Sequence, residues 1–231
     1  MSTADTRRIL GLLAAGRLSP EEANRLLASR EQPRRPPWWQ MLADPFGHLP
    51  LGVTLAVGAL TVLASLAVAT GLGLRFDGAL DVHVASGPVG WSLALLDQGV
   101  ALLTLTGLLW LAARIAGKPG RPIDLLAAVG VSRLALLLSG LVFASLMPPE
   151  LAVAGTPREA MSLVFDPWVI VAALAGIPFV GAFFVWLTLG FRTATGLRGG
   201  RLAAALLGAL LAAEVLSKLV LWAVGAAGIF G

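Results

Sequence analysis

The sequence predicts an all-α membrane protein, a five-transmembrane-helix bundle with a short N-terminal cytoplasmic helical hairpin. Three observations carry this expectation. Five apolar stretches run through residues 51–224, each near the roughly twenty residues that a helix rising 1.5 Å per residue needs to cross a hydrocarbon core of about 30 Å. The chain is 57% hydrophobic and 13% charged, and its charges largely avoid those stretches. Its basic residues fall almost entirely in alternate loops.

The remaining composition narrows the function classes. A net charge of +4 in 231 residues would suit nucleic acid, but the basic residues flank apolar spans instead of forming one soluble face. They read as topology signals and contacts to anionic membrane lipids, and no nucleic acid is expected as a partner. The chain has no cysteine, hence no disulfide framework, thiol nucleophile or thiolate metal site, and its two histidines are well separated. No cofactor and no metal is expected. Near the N-terminus the apolar run Ile9–Ala15 is short and followed by charge, unlike a signal-peptide core, so the first span is expected to direct insertion and stay in the protein.

Three regions follow in order: a cytoplasmic helical hairpin over 1–32, a linker and interfacial segment over 33–50, and the five-span domain over 51–231. In the hairpin, Ile9, Leu10, Leu12 and Leu13 form an apolar stripe and Gly16 ends the first helix. Ser19-Pro20-Glu21-Glu22 starts the second, with Ser19 as N-cap, Pro20 at the first helical position and Glu22 closing a capping box. Ala23, Leu26 and Leu27 continue the apolar face. A unit this small buries too little surface to be stable alone. Its leucine face, with Leu10, Leu13 and Leu26 buried, is expected to dock on a partner, on a second copy, or on the chain's own cytoplasmic loops. In the next segment Pro33, Pro36 and Pro37 exclude a continuous helix. Trp38, Trp39, Met41, Leu42 and Phe46 then make a strip suited to headgroup level.

The spans are expected at Leu51–Leu72, Trp91–Ala113, Ile123–Met147, Trp168–Phe191 and Leu202–Val224. Arg7, Arg8, Arg17, Arg25, Arg30, Arg34 and Arg35 precede the first span. Arg114, Lys118 and Arg121 lie between the second and third, and Arg192, Arg198 and Arg201 between the fourth and fifth. Thirteen of the seventeen basic residues therefore share one side, and the positive-inside rule puts the N-terminus in the cytoplasm and the C-terminus outside. The expected location is the cytoplasmic (inner) membrane.

Four ionisable residues lie inside spans: Asp97, Arg133, Glu214 and Lys218. Unpaired, they would together oppose insertion by roughly 10 kcal/mol, so they should be paired or wet. Arg133 and Glu214 fall near the midplane, whereas Asp97 and Lys218 lie roughly 7–8 Å toward the outside. Depth and sign then match Arg133 with Glu214 and Asp97 with Lys218. The competing arrangement is a local pair between Glu214 and Lys218, four apart on one helix. In either case the second, third and fifth spans should be neighbours. This charge network holds the bundle together or lines a cavity for an ion, proton or headgroup; the third arrangement has Lys218 snorkel outward and pair with nothing. Ala204, Gly208 and Ala212 read as a close-packing stripe on the fifth span, and Gly176 with Pro178 as a kink in the fourth.

Outside, Leu74–Val84 alternates around Asp77-Gly78, as a β-hairpin capping the bundle would. Asp77, Asp81 and His83 are metal-type donors, but no further ligand is evident nearby and His83 reads as a satisfied surface histidine. Thr156-Pro-Arg-Glu159 is a second capping box that should open a short interfacial helix.

Two stretches carry a family resemblance. One is Leu108-Leu-Trp-Leu-Ala-Ala-Arg-Ile-Ala-Gly-Lys-Pro-Gly-Arg-Pro-Ile-Asp-Leu-Leu-Ala-Ala-Val-Gly130, a span ending in Ala-Arg, a basic Gly-rich turn and the next span. The other runs from Pro178 through Trp186 into the basic Gly-rich turn before Leu202. Over about residues 40–225 the chain resembles the Yip (Ypt-interacting-protein) membrane family, which implies five spans and a cytoplasmic N-terminus. Eukaryotic relatives are associated with small GTPases and vesicle traffic. This chain has no tyrosine and none of their Asp-Leu-Tyr-Gly-Pro-type acidic stretch. Residues Ile9–Leu27 resemble SHOCT-like helical hairpins of bacterial membrane proteins, which implies self-association or partner binding. The expected function is a non-enzymatic integral membrane scaffold or adaptor recruiting a partner, membrane or cytosolic, or forming a homo-oligomer. The alternative is a small transporter or channel-like protein using the charged layer. An intramembrane enzyme is not expected, because no span holds a histidine, a Gly-x-Ser-x-Gly elbow or a carboxylate dyad at one depth.

Overall fold

Apolar runs of this length leave their backbone groups no water to bond, so each must close its hydrogen bonds internally as a helix. In the computed structural model, which describes residues 11–24, 37–85, 87–146 and 166–226, five helices are long and apolar enough to cross a membrane. The chain divides into two units, Met1–Trp38 and Trp39–Gly231. The expected interfacial helix after Thr156 lies outside the described residues, as do Leu10 and Leu26.

Within the first unit, Gly16 takes a left-handed φ of 67° that suits a residue without Cβ. It closes the preceding helix with a Schellman pair, Gly16 N–H to Leu13 C=O and Arg17 N–H to Leu12 C=O. Ser19 and Glu22 then bond reciprocally, Ser19 N–H to Glu22 Oε2 at 2.9 Å and Glu22 N–H to Ser19 Oγ at 3.1 Å. Ala23 is buried and Leu12 and Leu13 are half-buried.

The second unit contains two short helices, α1 (Trp38–Ala43, whose first residue belongs to the other unit) and α2 (Pro45–His48), then the spans. These are α3 (Leu51–Leu72), α4 (Trp91–Ile115), α5 (Pro122–Leu146), α6 (Pro167–Thr195) and α7 (Gly199–Ala226). Asp44 and Asp166 cap α2 and α6, each followed by a proline at the first helical position. The indole N–H of Trp186 on α6 donates to the Leu42 carbonyl at 2.8 Å, tying the chain just before the first span to the bundle. The helix α6 runs unbroken through Pro178, and Ser139 Oγ–H donates to the Gly176 carbonyl across the α5–α6 contact.

Helix α5 is the centre of the bundle: 67% of its most apolar stretch is buried, against 17–33% in the other four. It packs chiefly on α6 and α3, while α7 packs chiefly on α4. The α3–α5 crossing is backbone against backbone, since a Cβ on Gly130 would lie 2.9 Å from the Gly58 Cα. Besides Gly58, the buried residues of α3 are Leu66 and Ala69 and the polar Thr54, Thr61 and Ser65, whose hydroxyls bond to carbonyls of their own helix. One core joins Leu105 and Leu109, Leu125 and Val129, Phe183, Leu187 and Phe191, and Leu206 and Leu210. The loop residue Ala79 is fully buried in that same core.

The expectation that the second, third and fifth spans are mutual neighbours needs correction. The second, α4, packs on both others, but residues 78–80 of the α3–α4 loop lie between α5 and α7.

Candidate functional site

Gly73, left-handed at φ 69°, ends α3, and its open side faces the Gly87 carbonyl, where a Cβ would come within 2.6 Å. The chain then turns back into the bundle. Strands β1 (Leu74–Arg75) and β2 (His83–Val84) pair antiparallel, with Leu74 opposite Val84 and Arg75 opposite His83. The expected hairpin is therefore present, but its turn is the open segment 76–82 instead of a tight Asp77-Gly78 corner. Nor does it sit on top of the bundle. Leu74, Phe76 and Ala79 are buried, and a Cβ on Gly140 of α5 would meet Val82 and Leu74 side chains. Gly140 and Arg133 are seven residues apart on α5, about 10 Å along the helix, so the tip lies deeper than the strands.

Non-helical backbone at this depth needs partners from protein. Two of the in-span charges supply them. Glu214 Oε2 accepts the Leu80 N–H at 2.9 Å, and Arg133 Nη1–H donates to the Gly78 carbonyl at 3.4 Å. A Cβ at Gly78 would lie 2.7 Å from Glu214 Oε1, so a larger residue there would have to displace that carboxylate. The other two in-span charges hold the arms. Asp97, 1% exposed, accepts from Arg75 Nε at 2.9 Å, and Lys218 Nζ donates to Asp77 Oδ1 at 2.8 Å and to Asp81 Oδ2.

The depth-matched pairs are thus not the contacts formed. Asp97 meets Arg75 instead of Lys218, Lys218 meets Asp77 and Asp81, and Arg133 and Glu214 each bond to the hairpin tip instead of forming a direct ion pair. The reason is the inserted loop, which brings its own charges and exposed amides between the helices. Depth matching considered only charges inside spans and so missed Arg75, Asp77 and Asp81. Their signal was a cluster of charges, Arg75, Asp77 and Asp81, within a segment of alternating apolar residues.

His83 Nδ1 completes the cluster, 3.5 Å from Asp77 Oδ1 and 3.6 Å from Asp81 Oδ1. Asp81, beside His83 and then Lys218, stays well below the usual carboxylate range. The Asp81 carboxylate, aided by Asp77, raises the pKa of His83. Arg75 is raised by its bond to Asp97. Asp77, Asp81 and His83 present donor atoms within 4.8 Å of one another, and the Lys218 ammonium already bonds to both carboxylates. Four carboxylates face three fixed cations here, and protonated His83 brings the set to neutrality. The arrangement is suited to anchoring a loop inside a bundle. Arg133 Nη2, Thr106 Oγ1 and both polar atoms of the Gln98 amide are buried with no hydrogen-bond partner among the described residues.

A family model, that of the Yip1 domain, matches residues 18–221. The match starts within the N-terminal unit, takes in the first four spans and runs into the fifth. No curated protein and no solved structure matches.

Proposed function

Because the chain belongs to the Yip1 domain family, with five helices able to span a membrane, we propose that it is a non-enzymatic scaffold or adaptor of the cytoplasmic membrane. The N-terminus faces the cytoplasm in this reading. Its SHOCT-like hairpin, a bacterial type of appendage, recruits a protein partner or a second copy. The observation that carries the reading is how the in-span charges are used. Asp97, Arg133, Glu214 and Lys218 all bond to the chain's own loop, so the layer that a transporter would use for an ion serves to immobilise backbone. A static membrane unit then leaves recognition to the small hairpin. That hairpin satisfies its own helix ends through Gly16, Ser19 and Glu22, and keeps Leu12 and Leu13 half-exposed.

The test compares the tagged full chain with a deletion of residues 1–32 and with Leu13→Asp. Both variants should insert normally and lose the co-purifying protein or the self-association that the full chain shows. Flux in reconstituted vesicles that disappears in Asp97→Asn or Glu214→Gln would instead establish the transporter alternative.

A further inference from the structure

The stripe Ala204, Gly208 and Ala212 does not pack against another span. All three residues are exposed, and nothing lies within 4 Å of where a Gly208 Cβ would be. They form the floor of a groove of about 740 Å³ between α7 and α4, walled by Leu111 and Ile115 and closed at one end by Arg201. This volume lies within the range of about 300–1,000 Å³ typical of small-molecule sites.

Length and charge together identify the occupant. From Arg201 to Ala212 the groove runs about 16 Å along the helix, close to half of a hydrocarbon core of about 30 Å. It is therefore one leaflet deep. No residue of α7 beyond Ala212 lines the groove. Arg201 is the one charged residue in the lining, and it stands at the basic end, where α4 ends with Arg114 and the following turn carries Lys118. An apolar slot of leaflet depth with a cation at the headgroup level matches one acyl chain and one phosphate.

A second copy fits poorly. Two copies of like orientation are related by an axis along the membrane normal, so a symmetric contact would set groove against groove and Arg201 against Arg201. Concave faces enclose a void, and like charges repel.

We propose that the α4–α7 groove binds an anionic phospholipid from the leaflet at the basic end, with an acyl chain along Gly208 and the phosphate on Arg201. This site stands independently of the adaptor reading.

The experiment uses the full chain in detergent, titrated with phosphatidylglycerol or phosphatidylcholine, with retained lipid counted by native mass spectrometry and melting followed in parallel. One phosphatidylglycerol per chain should be retained and raise the melting temperature, with phosphatidylcholine weaker. Arg201→Gln should weaken phosphatidylglycerol about fivefold, the share of one basic residue near anionic headgroups. Gly208→Phe should abolish retention while leaving helix content unchanged, and Ala204→Trp serves as an independent filling variant. Val185→Phe, on an exposed face of α6 and not part of the groove lining, should change nothing. Equal retention of the two lipids, or retention unaffected by both filling variants, would mean only annular lipid and overturn the site. A change of oligomeric state in the filling variants would assign the groove to a second copy and overturn it as well.

Discussion

Arg133 and Glu214 show how a residue's role depends on what reaches it. Both sit near the middle of spans and would be costly there unpaired. The structure gives them a carbonyl and an amide N–H of the loop tip as partners, 3.4 and 2.9 Å away. If Glu214 serves as an acceptor for Leu80, its oxygen matters more than its charge. Glu214→Gln should then stay close to wild type in detergent melting, whereas Glu214→Leu should lose about 1–3 kcal/mol, the cost of an orphaned buried donor. A Gln variant as unstable as the Leu variant would instead point to a charge interaction with Arg133. His83 sets a pH dependence. Its folded pKa lies above the ordinary value of 6.5, so the protonated imidazole stabilises the hairpin fully below that value and the gain is lost as pH rises through the raised pKa. Asp81 acts in the opposite direction: its folded pKa is depressed below 3.8, so its contribution holds above that value and fades as pH falls toward the folded pKa. Melting curves should therefore show greatest stability on the acid side of neutrality, and His83→Gln should flatten the loss between there and mildly alkaline pH.

At the scale of elements, the hairpin and the helix crossings answer different sequence signals. The apolar alternation from Leu74 to Val84 was enough to expect two strands, and the capping box Ser19–Glu22 was legible from four letters because it is a local exchange of two hydrogen bonds. The open turn 76–82 was not legible. A loop closes tightly only when it must satisfy its own backbone, and here α5 and α7 supply those bonds. The α3–α5 contact depends on two glycines whose backbones touch, and a lone glycine in an apolar run does not reveal which helix it faces. Gly130→Val should force the helices apart and destabilise by about 1–3 kcal/mol, as overpacking does. Gly99→Ala on α4, where nothing lies within 4 Å, should be neutral in the same assay. Ala204, Gly208 and Ala212 illustrate the same ambiguity from the other side: a stripe of small residues suits a helix contact, yet here it floors an open groove.

For the whole molecule, the proposed orientation yields a direct test because the chain has no cysteine of its own. A cysteine at Lys118 should react with an impermeant maleimide only after the membrane is opened, and one at Asp166 should react in intact cells. The reverse pattern would invert the topology and place the hairpin outside. Composition and spacing by themselves determined the five spans, the helical class and the segregation of basic loops, since length and hydropathy act through the bilayer and need no knowledge of neighbours. Which charges meet, and that a loop enters the bundle to meet them, was decided only by tertiary structure. Depth along each helix can be counted from the sequence, but whether a segment between two helices stays outside or folds inward depends on whether the bundle offers bonds to its backbone. Here Arg133 and Glu214 offer them.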